Sequence, residues 1–368
     1  MAPLLPPATI ATQPRRIALL TSSRFWRGSS NVFAALARGL AARGHATTAL
    51  VAYEPLATGF ATQGVSVQTL PVAHTSLPAA RALRRTLREL RSDIILVDMA
   101  RDIRHAAAAS LGRSLAVVYC ISTPEPPRDL LTRIAFGRVR VTVFLTEEHA
   151  RRALVAAPFL RRAEQRVIHN GVDCGLFHPD EEAGRAFRER YDLPGGPLLV
   201  GVGALAPEKR WDLLLEALAI AAAPAPPLLL CGSGALEGAL RAQARRLGVN
   251  ATFLGQVEPP TLVGAYNAAT CVVHTRPDET FGLALAEAMA CGRPVLAWAS
   301  GGPVEVVGDA GVLAAPLDPR DFATQLERLL ADPGRRAALG AAARRRAVER
   351  YSVERMVREY AELVESLG

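Results

Sequence analysis

A rhythm of short apolar strands and longer amphipathic helices runs through this chain twice. It spans Arg16 to Ile168, breaks at a stretch rich in Gly, Asp and Pro from Asn170 to Pro197, and restarts at Leu198. Alternation of this kind builds parallel sheets covered by helices, because two parallel neighbours can be joined only by a crossover of helix length. The first pass reads as strands Arg16–Thr21, Ala46–Val51, Asp93–Val97, Leu115–Cys120, Val139–Leu145 and Arg166–Ile168, with helices Asn31–Arg43 and Glu147–Val155 among them. The second reads as strands Leu198–Val202, Pro227–Cys231, Thr252–Leu254, Cys271–His274 and Pro294–Ala297, interleaved with helices Trp211–Ala222, Leu236–Leu247, Pro260–Asn267 and Gly282–Cys291. A chain of 368 residues exceeds one ordinary core and suits two. The expectation is an α/β protein of two Rossmann-like, doubly wound domains facing each other across a cleft. Its divisions are a disordered tail at 1–15, a first domain at 16–180, a second at 181–350, and a closing helix at 351–368 that packs back on the first. Such sheets bind ligands at the carboxyl ends of their strands, so the loops that follow strands are where chemistry is sought.

Composition removes several function classes. No apolar run reaches membrane-spanning length, and Met1 to Pro14 carries four prolines and no early positive charge, unlike a secretory leader. Cys120, Cys174, Cys231, Cys271 and Cys291 lie far apart with neither a paired framework nor a metal-ligand spacing, so reduced core thiols, a cytoplasmic location and no metal or cofactor are expected. A net charge of +8 invites an anionic partner, yet there is no zinc-finger spacing, and aromatics at 5% offer no stacking platform for nucleic acid. The sharpest basic feature is Arg81–Arg91, where Leu83, Leu87 and Leu90 share one helical face and arginines ring the other. The favoured reading packs those leucines on a sheet with the arginines in water. A second lays the arginines on anionic headgroups, in peripheral contact with the inner face of a membrane.

Among 43 basic residues one is a lysine, Lys209, in the segment Gly201-Val202-Gly203-Ala204-Leu205-Ala206-Pro207-Glu208-Lys209-Arg210. A compact ammonium retained where every other cation is a guanidinium points to a phosphate or a tight turn, although a chance survivor on a solvated helix start would look the same. Gly201 and Gly203 allow close backbone approach, and Lys209 stands near the start of the helix from Trp211, whose terminal amides favour an anion.

A second segment, Asp278-Glu279-Thr280-Phe281-Gly282-Leu283 and onward to Glu287, sets Glu279 in a loop and Glu287 two turns into a helix. Gly282 leaves the amides of Phe281, Gly282 and Leu283 for an anion, while the two carboxylates can accept hydrogen bonds from the hydroxyls of a sugar and a ribose. Read singly, Glu279 is also a helix-start acid and Glu287 a buried acid satisfied internally.

With these residues the chain resembles glycosyltransferase family 4, a retaining group with the GT-B fold. Glu279 and Glu287 have its E-x7-E spacing, and Phe281-Gly282, Glu287-Ala288-Met289-Ala290-Cys291-Gly292, Asn170-Gly171-Val172-Asp173, Pro207-Glu208-Lys209 and Gly301-Gly302-Pro303-Val304-Glu305 match as well. The resemblance implies transfer of a hexose from a nucleotide diphosphate sugar to a hydroxyl acceptor, whether lipid, glycan or small molecule, with the acceptor in the first domain and the donor in the second. By that likeness Lys209 and Glu279 are the catalytic pair. Lys209 would hold the diphosphate, Glu287 the ribose and Glu279 the sugar, with Thr280, Phe281, Gly282 and Leu283 completing the donor site beside Gly203. Gly28 and Ser29 match the first-domain loop that reaches the donor. Ala204 stands where members usually place arginine, leaving Arg210 or Arg276 to supply that contact. Ser122 stands where many members place histidine, on the acceptor side, and a serine cannot titrate near neutral pH as histidine does. A sugar-nucleotide epimerase or phosphorylase of the same fold, and a non-catalytic sugar-nucleotide-binding subunit, are the alternative readings.

Overall fold

The computed structural model describes residues 13–222 and 225–367, so most of the tail read at 1–15 lies outside the described residues. The chain forms two compact units. One comprises Val172–Ser352, and the other combines the chain up to Gly171 with the segment from Val353 onward.

The first unit carries β1 (Arg16–Thr21), α1 (Gly28–Ala42), β2 (Ala46–Val51), α2 (Glu54–Thr62), β3 (Val67–Thr69), α3 (Leu77–Glu89), β4 (Ile94–Val97), α4 (Ala100–Ser110), β5 (Ala116–Cys120), α5 (Leu130–Ala135), β6 (Val139–Phe144), α6 (Glu147–Ala156) and β7 (Glu164–Val167). Its seven parallel strands lie in the order β3-β2-β1-β4-β5-β6-β7. Central strands such as β4 are buried at every position, as a sheet covered on both faces requires, whereas the edge strand β7 is largely exposed. Four of these elements, α2, β3, α4 and α5, escape the sequence reading. In α4 the buried face mixes Ile103, Ala106, Ala107 and Ala109 with Asp102, His105 and Ser110, so polar residues stand where a sequence reading looks for a core face.

The second unit carries α7 (Glu181–Arg190), β8 (Leu199–Val202), α8 (Trp211–Ile220), β9 (Leu228–Cys231), α9 (Glu237–Leu247), β10 (Ala251–Gly255), α10 (Pro259–Ala268), β11 (Cys271–His274), α11 (Leu283–Ala290), β12 (Val295–Trp298), α12 (Gly302–Val307), β13 (Val312–Ala314), α13 (Pro319–Ala331) and α14 (Pro333–Tyr351). Six parallel strands run in the order β10-β9-β8-β11-β12-β13. Helix α7 corrects the reading of Asn170–Pro197 as linker throughout. The Asp180 carboxylate caps it, accepting the Ala183 amide at 2.9 Å, but only Gly184 and Phe187 are buried, so little apolar surface marks it in a stretch otherwise rich in charge, Gly and Pro.

The last helix, α15 (Val353–Ser366), belongs to the first unit. It lies on α1, where any side chain at Gly39 would strike Val357. Its Met356, Val357, Tyr360 and Val364 are buried. In both sheets the order reverses once, between β1 and β4 and between β8 and β11, and the crevice at the carboxyl ends of such a pair is where doubly wound sheets take ligands. No described helix is long and apolar enough to cross a membrane.

Candidate active site

At the reversal point of the second sheet two loops meet, one leaving β8 and the other leaving β11. Gly203 turns the first loop away at φ +153°, where a side chain would also crowd Lys209, and a side chain at Gly232 would collide with the Gly203 carbonyl, so the two backbones touch only because position 232 is glycine. The Gly203 amide donates to the Cys231 carbonyl at 2.9 Å. Pro207–Lys209 then makes one 3-10 turn, and Arg210, left-handed at φ +52°, opens α8. The Trp211 indole N–H donates to the Ala204 carbonyl at 3.0 Å, which pins the loop from inside. The Thr275 hydroxyl donates to the Lys209 carbonyl at 2.8 Å and ties it to the loop after β11.

The Lys209 ammonium consequently sits 3.0 Å from Glu279 Oε2, with 14% and 12% of the two side chains exposed. Around the same oxygen stand His274 Nε2 at 3.5 Å, the outer limit of hydrogen bonding, and Arg276 Nη1 at 3.9 Å. Burial alone would raise the Glu279 carboxyl, but His274, Lys209 and Arg276 together hold it well below the usual carboxylate range. His274 is itself buried, which lowers its basicity and favours the neutral ring. The acidic loop is fixed from behind: the Gly302 amide donates to the Glu279 carbonyl at 2.7 Å, and side chains at Gly301 and Gly302 would run into the carbonyls of Glu279 and Thr280.

Of the two arginines that could stand in for Ala204, Arg276 joins this group, with its Nε also 2.9 Å from Asp278. Arg210 instead grips both carboxylate oxygens of Asp212, at 2.9 and 3.0 Å. Gly282, at φ +94°, caps α11, so the helix starts one residue later than the sequence suggests. The Phe281 side chain is buried edge-on against Tyr351 at 5.4 Å, leaving its backbone as the part that can face a ligand. Thr280 is buried and Leu283 half-buried. On α11, Glu287 accepts the Tyr266 hydroxyl at 2.7 Å, and burial pushes its carboxyl up to about 7. Lys209, Arg276, Glu279 and Glu287 are thus carried by the two reversal-point loops and by α11.

Gly28, Ser29 and Ser122 belong to the first unit. Gly28 and Ser29 form the first turn of α1, not a loop ahead of it, because the helix begins three residues earlier than Asn31. Ser122 is half-buried just after β5. A histidine does reach that turn, from α6: His149 Nε2 lies 3.0 Å from the Thr123 carbonyl, and burial pushes the ring down to about 4, so it donates as neutral imidazole. Beneath the loop after β1, the Thr21 hydroxyl donates to Asp98 and the Ser22 amide to Asp102, both buried and both raised by burial. His274, Tyr266 and His149 escape sequence reasoning because each meets its partner only through the fold. The His274–Glu279 spacing of five is the one local hint.

Two parallel Rossmann-like sheets, one with a cation and acid pair at its reversal point, define the class of GT-B proteins. Residues 26–176 match the family described as Glycosyltransferase Family 4, and residues 185–346 that described as Glycosyl transferases group 1. The chain belongs to glycosyltransferase family 4. A protein named D-inositol 3-phosphate glycosyltransferase from Thermomonospora curvata is 36% identical over 247 residues, covering 61% of this chain and 57% of that protein. One of the same name from Xylanimonas cellulosilytica is 40% identical over 192 residues, covering 48% of this chain and 46% of that protein. The chain therefore spans about half the length of the curated relatives it matches. Among solved structures, Anabaena HepE in complex with UDP and glucose is similar at a TM-score of 0.85 and 22% identity, over 96% of this chain and 100% of that one, a likeness of fold.

Proposed function

We propose that this chain is a retaining hexosyltransferase, moving a hexose from a nucleotide diphosphate sugar to a hydroxyl of a lipid, glycan or small-molecule acceptor. The observation that carries the reading is the Lys209–Glu279 pair at 3.0 Å, set at a reversal point with Arg276 beside it and Glu287 on the helix that follows. A lysine held only to neutralise an acid would not need a second cation or the positive end of α11. A diphosphate arriving there takes over Lys209 and Arg276 and frees the carboxylate to accept hydroxyls of the sugar. Glu287 takes the ribose. As the bond from the anomeric carbon to the phosphate oxygen breaks, negative charge builds on the diphosphate, where Lys209 and the α11 amides stabilise it. The acceptor oxygen bonds to the anomeric carbon on the same face and passes its proton to the leaving phosphate. Acceptor binding is assigned to the first unit, with Ser122, and the reaction to the cytoplasm with peripheral contact at the inner membrane face.

HepE was solved with UDP, which makes uridine nucleotides the first donors to try. The test is thermal stabilisation by a panel of UDP-, GDP- and ADP-sugars, since a ligand that binds only the folded state raises the melting point. Stabilisation by one nucleotide class supports the reading, and none by any of them contradicts it.

A further inference from the structure

One donor beside Glu279 is buried and has nothing to bond. His274 ends β11, an interior strand buried at all four positions, and it pairs with Ala297 of β12. It is 2% exposed, and among the described residues its Nε2 has no hydrogen-bond partner. A buried N–H in that state is costly, and native cores keep few of them. The acceptor it faces is Glu279 Oε2, 3.5 Å from Nε2, where an ordinary bond measures about 2.9 Å. Lys209 already holds that oxygen at 3.0 Å, and Arg276 Nη1 stands back at 3.9 Å with its Nε on Asp278. The other carboxylate oxygen accepts the Thr280 amide at 3.2 Å.

The three donors differ in what they do when an anion arrives. Lys209 ends a 3-10 turn on a long flexible stem and can swing to a phosphate, and the Arg276 guanidinium can follow. His274 cannot, because its ring is neutral and hangs from the sheet by a single methylene. Burial is the main cause of that neutrality; the Glu279 carboxylate opposes it, and the Lys209 and Arg276 charges add to it. Glu279 has 12% of its side chain exposed, and burial alone would raise its carboxyl. Stripped of both cations it would tend to take a proton, and a protonated carboxyl loses acceptor capacity that sugar hydroxyls need. A neutral N–H 3.5 Å away, fixed on a strand, is placed to prevent this.

We propose that His274 is a positioning residue for Glu279: when a diphosphate draws Lys209 and Arg276 away, the imidazole N–H closes on the oxygen they leave and holds the carboxylate for the sugar hydroxyls. The proposal rests on the reading of Lys209 as a ligand of the diphosphate and Glu279 as a ligand of the sugar. A mobile cation guards the acid in the free chain, and a fixed dipole replaces it in the complex.

The test has a ligand-free arm and a binding arm, both on the full chain. Lys209→Ala removes the ammonium from Glu279 as a diphosphate would. In spectra of chain labelled with nitrogen-15 histidine, the His274 ring signals are identified by their loss in His274→Gln. They should show a neutral ring protonated at Nε2 in wild type and in Lys209→Ala, with the Nε2–H proton moved downfield in the variant as its bond to Glu279 shortens. The binding arm is calorimetric titration with the nucleoside diphosphate whose sugar stabilises the chain in the nucleotide panel. His274→Leu should weaken binding about tenfold, and His274→Gln, whose amide N–H has similar reach, should recover most of it. In a Glu279→Ala background the leucine change should cost nothing, whereas a residue that only packs β11 would cost the same in both. The proposal is overturned if the Nε2–H signal stays in place in Lys209→Ala, if the ring there is doubly protonated, or if His274→Leu costs as much without Glu279 as with it. Should no nucleotide stabilise the chain, the reading of a donor site fails, and the spectra still decide whether Glu279 passes to His274.

Discussion

If Glu287 takes the ribose, donor binding must be linked to a proton. Burial pushes this carboxyl up to about 7 while the Tyr266 hydroxyl donates to one of its oxygens, so in the free protein at pH 6 about nine carboxyls in ten carry a proton. Ribose hydroxyls are hydrogen-bond donors and need the ionised form. Binding at pH 6 should therefore release close to one proton, and at pH 8 almost none. Calorimetric titration with whichever nucleotide diphosphate sugar stabilises the protein, in two buffers of different ionisation enthalpy, measures this directly, and such a diphosphate diester has no phosphate ionisation near neutral pH to confuse it. The Glu287→Gln variant should show no release. The same shift appears in stability: a carboxyl raised in the folded state contributes fully below its ordinary range and loses that contribution as pH rises through about 7, here about 3 kcal/mol in all. Glu287→Gln should thus flatten the decline in stability between pH 5 and 8 (about 3 kcal/mol in wild type from this group). Heats independent of buffer in the wild-type protein at pH 6 would refute the assignment of Glu287 to the ribose.

Lys209→Ala should weaken binding of the nucleotide diphosphate sugar by roughly ten- to a hundredfold, with Lys209→Arg recovering only part, as titration calorimetry would show. Gly302→Ala should displace the acidic loop, because the new methyl meets the Thr280 carbonyl; a loss of about 1–3 kcal/mol in denaturant unfolding, with weaker donor binding, is expected. Ser122→Ala should cost little in turnover, and the rate should show no ionisation in the ordinary histidine range, since the nearby His149 is held neutral down to about 4. His149→Ala should instead lower stability by about 1–3 kcal/mol through the lost bond to Thr123, measured by denaturant titration.

Much of this was legible before folding. Strands β1, β9 and β11 follow from short apolar runs closed by polar or glycine residues, and the two-sheet α/β class follows from the spacing of such runs. Lys209 and the Glu279–Glu287 segment drew notice by composition and spacing, and the fold brings Lys209 to Glu279 across 70 residues. What stayed hidden has physical reasons. Helix α4 buries Asp102, His105 and Ser110 beside Ile103 and its alanines, and α7 buries only Gly184 and Phe187, so neither carries the row of large apolar residues that marks a core face in sequence. Helix α5 shows its apolar residues outside, the reverse of what the pattern rule assumes. His274 and Tyr266 are core residues by sequence, and only the register of β11 and the packing of α10 turn them toward carboxylates.

One comparison decides whether the donor site is built as described: calorimetric titration of wild type, Glu279→Ala and Glu287→Ala with free nucleoside diphosphate and with the matching sugar nucleotide. Glu287→Ala should weaken both ligands alike, because both carry the ribose. Glu279→Ala should leave the free diphosphate bound as in wild type or more tightly, since Lys209 is released from its partner, and should lose the gain that the sugar provides. Two variants that behave alike toward the free diphosphate, or a sugar nucleotide that neither change affects, would contradict the assignment of these carboxylates to sugar and ribose.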